Sequence, residues 1–162
     1  MPETIAAIVA AHREGSASPA ETVARSFRRI RDHNDAAIFI SLRDESEAVA
    51  EAERLAEKDA SSLPLLGVPV AVKDNIDAAG LPTTAACPAF AYQPVQDATS
   101  VARLRAAGAI VIGKTNLDQF ATGLVGVRSR SVADGSTQFL NLAWPLDLES
   151  IVGKYRLKTG VA

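Results

Sequence analysis

The stretch Leu65-Leu66-Gly67-Val68-Pro69-Val70-Ala71-Val72-Lys73-Asp74-Asn75 constrains the fold more than any other in the chain. An apolar run between turn residues, rich in β-branched valine, reads as a buried strand rather than a helix segment. Its abrupt end in a lysine, an aspartate and an asparagine places Lys73 at the mouth of a core. Burial there disfavours the ammonium, lowers its pKa and presents a neutral amine as a general base. The plainer reading has Lys73 merely ending the strand, paired with Asp74 or extended into water as most lysines are.

Hydrophobic residues make up 48% of the 162, enough to fill a sizeable single-domain core. The 17 basic residues stand against 19 acidic ones, a balance that gives no reason to expect a nucleic acid or an anionic membrane as partner. Cys87 is the only cysteine, which excludes an internal disulfide, and the two histidines make no metal-ligand spacing with it. The simplest compartment for such a chain is a reducing one. No basic region followed by an apolar signal core opens the chain, and no apolar run is long enough for a bilayer. A soluble cytoplasmic protein is expected.

Ile5, Ile8, Val9 and His12 have helical spacing, with Gly15 as a stop. Ser18, Pro19 and Glu21 form a capping-box start for a second helix, whose apolar stripe is Val23, Phe27 and Ile30. Arg25, Arg28, Arg29 and Arg31 on that helix suit a solvated face better than a phosphate site, since no glycine-rich loop or interleaved aromatic accompanies them. Ala37 to Leu42 reads as a strand, and Glu45 to Lys58 as a helix with Ala48, Ala52, Leu55 and Ala56 inward.

After Lys73 the residues Asn75 to Thr84 break any regular pattern, a usual place for a binding loop at a strand end. Thr83 and Thr84 suit either ligand contact or turn hydrogen bonds there. Cys87 reads as a small packed residue, because its neighbours supply no basic setting for a reactive thiol. Asp97 and Thr99 offer caps for a helix through Val101, Leu104 and Ala107, and Gly108 ends it. Ala109 to Gly113 follows at once as a second buried strand. Strand, crossover, helix and strand in this order predict a parallel pair within a larger α/β sheet. Lys114-Thr115-Asn116 closes this strand as Lys73-Asp74-Asn75 closes the first, and Lys114 alone reads as structural. Asn116 and Gln119 have capping-box spacing for a short helix over Leu117, Phe120 and Ala121, with Gly126 to Ser129 as an exposed loop beyond it.

Gly67-Val68-Pro69-Val70-Ala71-Val72-Lys73-Asp74-Asn75, Gly80-Leu81-Pro82-Thr83-Thr84 and Gly113-Lys114-Thr115-Asn116-Leu117-Asp118-Gln119-Phe120-Ala121 together resemble the first half of an amidase signature enzyme. Ala85 to Tyr92 and Thr122 to Ser129 resemble, more narrowly, the allophanate hydrolases of that family. The likeness runs from about Ile5 to Ser129, faint before Leu63 and dense after it, and several motifs in order are more specific than any one alone. It implies a three-layer α/β/α fold around a mixed sheet, no metal or organic cofactor, and hydrolysis of a small amide by a Ser, cis-Ser, Lys triad. Lys73 matches the triad lysine, which acts through the bridging serine to deprotonate the nucleophilic hydroxyl. For the allophanate hydrolases the implied reaction is cleavage of allophanate to ammonia and carbon dioxide in urea breakdown.

The likeness stops after Ser129. In the family, Arg-Ser is followed by Pro-Tyr-Gly and a Gly-Gly-Ser-Ser-Ser-Gly-Ser run, whereas here Arg130-Ser131-Val132-Ala133-Asp134 follows. The later serines Ser131, Ser136 and Ser150 lie in no glycine-flanked serine run, and Gly135-Ser136 reads as a turn. Without a hydroxyl pair and oxyanion donors, Lys73 has nothing to activate. The expectation is therefore an incomplete N-terminal portion of the amidase fold over residues 1–129, an unrelated or frameshifted tail over 130–162, and no activity from this chain alone. An incomplete sheet should also expose apolar surface and a strand edge, giving marginal stability or self-association. Two other readings remain: another amidase, such as the amidotransferase A subunit that works on misacylated transfer RNA, and a non-catalytic interaction protein with the tail as contact surface.

Overall fold

The computed structural model describes residues 3–58 and 60–123. The expected loop at Gly126 to Ser129, the serines Ser131, Ser136 and Ser150, and the whole of the expected tail 130–162 lie outside the described residues.

Local chemistry sets the first helices. In α1 (Ile5–Glu14) the Thr4 hydroxyl accepts from the Ala7 N–H, and Gly15 closes the helix at φ 70, a left-handed conformation that glycine adopts without Cβ strain. In α2 (Pro19–His33) the capping box forms as its spacing predicts: Glu21 N–H donates to the Ser18 hydroxyl, and Ser18 N–H donates to the Glu21 carboxylate. Val23 and Phe27 are buried while Arg25 pairs with Glu3 and Arg31 with Glu45, so these arginines serve the surface. In α3 (Glu45–Ala56) Asp44 caps the start and Ala48 and Ala52 are buried, but Ala56, expected inward, is exposed because the helix ends there.

The strands are β1 (Phe39–Leu42), β2 (Pro69–Lys73) and β3 (Ile110–Thr115), in the order β1-β3-β2. β1 is antiparallel to β3, and β2, joined to β3 through α4 (Thr99–Ala106), is parallel to it, as the strand-helix-strand pattern predicts. Both outer strands are shorter than the apolar runs suggest. Ala37 and Ile38 lie in a turn, where Ala37 N–H donates to the Asp35 carboxylate. Leu65 to Val68 fold back through a Val68 N–H to Leu65 carbonyl bond, and Gly67 has φ 67. A Cβ on Gly67 would sit 2.5 Å from Pro19 Cβ, so the entry to β2 is packed against α2 too closely for a side chain.

Successive residues of β3 divide the core. Ile110 and Ile112 meet Val23, Phe27, Ala48 and Ala52 of α2 and α3. Val111, with Val70 and Val72 of β2, meets Ile5 and Val9 of α1 and Val101 of α4 on the other face. Helices thus cover both faces of a mixed sheet, giving three α/β/α layers.

Two expected helix starts are replaced. The N-cap of α4 is Ala98 without a side-chain cap bond; Asp97 instead accepts from Ala79 N–H at 2.7 Å and pairs with Arg105 at 3.2 Å, tying the loop after β2 to α4. Among the described residues after β3 there is a single 3-10 turn, Gln119–Ala121. Asn116 is unavailable as its cap, since its side chain donates to the Ala37 carbonyl and accepts from Leu117 N–H.

Candidate active site

Lys73 is the last residue of β2, beside Thr115 at the end of β3. Side chains of β2 alternate: Val70 and Val72 are buried, whereas Ala71 and Lys73 are exposed. The burial expected of Lys73 is therefore not supplied by the described residues. It stands at the carboxyl end of two parallel strands, where open α/β sheets place their ligands.

Among the described residues the buried lysine is Lys114. Its side chain and that of Asp74 are both 0% exposed, with Nζ 3.5 Å from Asp74 Oδ1. Nζ also donates to the Pro82 carbonyl at 3.0 Å and to Thr83 Oγ1 at 3.1 Å. Among the described residues Asp74 Oδ1 has no hydrogen bond and lies beside this cation; Oδ2 accepts from Thr84 N–H at 3.0 Å, from the Thr84 hydroxyl and from Ala86 N–H at 3.3 Å. Burial pushes the Lys114 ammonium below its ordinary 10.5, and the Asp74 carboxylate opposes that shift. A second carboxylate continues the network: Asp77 accepts from Thr83 Oγ1 at 2.9 Å and from the Tyr92 hydroxyl at 2.7 Å, and this bond raises the Tyr92 phenol above its ordinary 10.0.

Register explains why Lys114 turns inward. Val70 pairs with Val111, but the next residue, Ala71, pairs with Gly113, so β3 carries one residue more than β2. That irregularity resets the alternation and sets Lys114 beside Val72, on the α1 and α4 face, instead of beside Ile112. Gly113 is needed at this point: a Cβ would lie 2.7 Å from the Ser41 carbonyl oxygen.

The buried pair immobilises the turn that carries Lys73. Asp74 N–H donates to the Thr115 carbonyl and Ile76 N–H to that of Lys73, so the backbone on both sides of the Lys73 carbonyl is tied down. Ala85 and Ala86 hold φ of 51 and 57, and Phe120 and Ala121 hold 52 and 56. These left-handed conformations are strained for residues with a Cβ, and the two pairs are joined by Phe120 N–H to the Ala85 carbonyl.

Thr83 and Thr84 are buried, and their hydroxyls donate to Asp77 and Asp74, so both take part in hydrogen bonds within the loop. Cys87 is half-buried. Among the described residues no cluster of three or more His, Cys, Asp or Glu could hold a metal ion, and no helix is long and apolar enough to cross a membrane. The Asp74–Lys114 pair escapes a reading by regular alternation. A glycine inside the second strand, Gly113, is the sequence signal that points to a bulge.

The Amidase family profile matches residues 21–139, reaching past Ser129. The urea amidolyase of Saccharomyces cerevisiae is 74% identical over 68 residues, 42% of this chain and 4% of that protein. The A subunit of the glutamyl-tRNA(Gln) amidotransferase of Geobacillus thermodenitrificans is 37% identical over 140 residues, 84% of this chain and 27% of that protein. The crystal structure of Kluyveromyces lactis allophanate hydrolase superposes with a TM-score of 0.66 at 43% identity, over 79% of this chain and 21% of the other. The chain thus spans a minor part of each relative. With the profile match across most of its length and the shared fold, this chain belongs to the amidase family.

Proposed function

We propose that this chain is the lysine-bearing part of an amide hydrolase acting on allophanate, with Lys73 as the general base. The observation that carries the reading is the place of Lys73, at the carboxyl end of β2 and parallel to the end of β3, on a turn clamped from below by Asp74 and Lys114. An amine in that position can take a serine proton and return one to the leaving nitrogen once the rest of a site surrounds it. No metal or organic cofactor is needed for those steps. The substrate is a small amide, and the single cysteine suits a cytoplasmic setting.

The hydroxyl pair and oxyanion donors belong, in the family, to glycine- and serine-rich runs that the 162 residues do not contain. The chain alone therefore does not turn over. Residues 1–129 form the partial amidase domain and residues 130–162 a tail of separate origin, although the family profile extends ten residues beyond that boundary, to residue 139. The broader alignment with the amidotransferase chain favours a second reading, an amidase acting on a different amide.

A chimera tests both. Residues 63–123 replace the matching segment of the Saccharomyces cerevisiae urea amidolyase, and ammonia release from allophanate is measured beside other amides. Retained release from allophanate, abolished by Lys73→Ala, supports the proposal. Release that survives Lys73→Ala rejects Lys73 as the base, and release only from another amide transfers the chain to the second reading. The 162-residue chain alone should release no ammonia; turnover by it would show a substitute hydroxyl.

A further inference from the structure

The register of β2 against β3 sorts the residues at the strand ends onto two faces. Val72 pairs with Lys114, and Lys73 pairs with Thr115. Val72 lies in the core beside α1 and α4, so Lys73 and Thr115 share the opposite face, toward α2 and α3. The cavity between α2 and the sheet agrees with that assignment, since Pro69, Ala71 and Thr115 all line it. Thr115 is therefore the cross-strand neighbour of Lys73 on the same face.

The two residues are held very differently. Thr115 belongs to the central strand, between Phe39 of β1 and Lys73 of β2. Its carbonyl accepts from Asp74 N–H at 3.1 Å, and the following N–H, that of Asn116, donates to the Ile38 carbonyl at 2.8 Å. Its side chain is half-buried and β-branched, which leaves it few rotamers. Lys73 instead ends its strand with an exposed and flexible four-carbon stem. A base free to wander spends little of its time aligned with the hydroxyl it must deprotonate.

We propose that Thr115 is a positioning residue for Lys73: its hydroxyl oxygen accepts one N–H of the Lys73 amine and turns the nitrogen lone pair toward the serine proton. The proposal rests on the reading of Lys73 as the base and deepens it. The lysine stem is long enough to carry the amine across one interstrand spacing of about 4.8 Å. The same fold already holds a lysine in this way, for Lys114 Nζ donates to Thr83 Oγ1 at 3.1 Å. An amine keeps at least two N–H groups whether neutral or charged, and a hydroxyl oxygen has two acceptor lone pairs. The contact thus persists while Lys73 receives the serine proton and returns one to the leaving nitrogen, and Thr115 itself gains and loses none. Strand propensity alone would be met as well by valine at this position, so the hydroxyl is the part to test.

In the urea amidolyase chimera, Thr115→Val keeps the branched shape and removes only the hydroxyl. Its kcat for ammonia release from allophanate should fall by about tenfold or more, with KM within about twofold of the parent chimera. Thr115→Ser should recover most of that loss and Thr115→Ala should not, a second comparison that does not depend on how valine packs. Urea denaturation of the 162-residue chain carrying Thr115→Val should give an unchanged midpoint. An undiminished kcat in Thr115→Val, a change confined to KM, or a serine variant as slow as the alanine one overturns the Thr115 assignment alone, provided that Lys73→Ala still abolishes release. A chimera that releases no ammonia, or release that survives Lys73→Ala, removes the base itself and the role of Thr115 with it.

Discussion

Lys73 and Lys114 end neighbouring parallel strands in nearly the same way, Lys-Asp-Asn and Lys-Thr-Asn, yet one is exposed and the other fully buried. The difference comes from a single extra residue in β3. It turns Lys114 into the core, where Asp74, Pro82 and Thr83 receive its ammonium, and leaves Lys73 at the strand mouth. A buried ion pair is seldom a gain over apolar packing, but removing one member leaves the other charged and unpaired. Lys114 accordingly holds the fold, and its partner Asp74 holds the turn on which Lys73 is displayed.

The largest expected effect follows from that asymmetry. Lys114→Met strands the Asp74 carboxylate and should destabilise the chain by about 3–5 kcal/mol in urea denaturation. Adding Asp74→Leu should recover part of the loss, because the two changes are coupled. A Lys114→Met chain as stable as the wild type would end the distinction between the lysines.

Gly113→Ala attacks the cause of the inward turn. With a Cβ only 2.7 Å from the Ser41 oxygen, the strands must separate or the bulge must move, and a cost of about 1–3 kcal/mol is expected. A substitution without cost would mean that the bulge does not depend on this close approach.

Alkaline titration separates two smaller contributions of opposite sign. Lys114 has a lowered folded pKa, so in the window between that value and its ordinary 10.5 the unfolded chain binds more protons, and its contribution to stability rises with pH. Tyr92 has a raised folded pKa, so its contribution is present below 10.0 and is lost as pH climbs through the higher folded value. In denaturant midpoints measured around pH 10, Tyr92→Phe should remove the falling component and Lys114→Met the rising one. Slopes of the same sign in both variants would contradict the assigned partners.

Much of the scaffold is legible from short-range chemistry. Ser18 and Glu21 form their capping box and Gly15 closes α1, because these signals are satisfied within a few residues. The caps expected at Asn116 and Asp97 are absent for one reason: each side chain bonds to a distant backbone, Ala37 in one case and Ala79 in the other. Tertiary competition of that kind leaves no mark in local spacing. The site is half legible. Lys73 stands out where an apolar run ends, but Asp74 and Lys114 become a pair only through register, and strict alternation assigns Lys114 to the wrong face. Their clue is Gly113, a residue with no other reason to interrupt a strand of isoleucine and valine.

The division of labour between the lysines is tested most directly by measuring Lys73→Ala in the urea amidolyase chimera for both ammonia release and unfolding. An exposed lysine at a strand end should leave the unfolding midpoint nearly unchanged, within about 0.5 kcal/mol, while release from allophanate disappears. Persistent release, or a loss of stability as large as that of Lys114→Met, would contradict it.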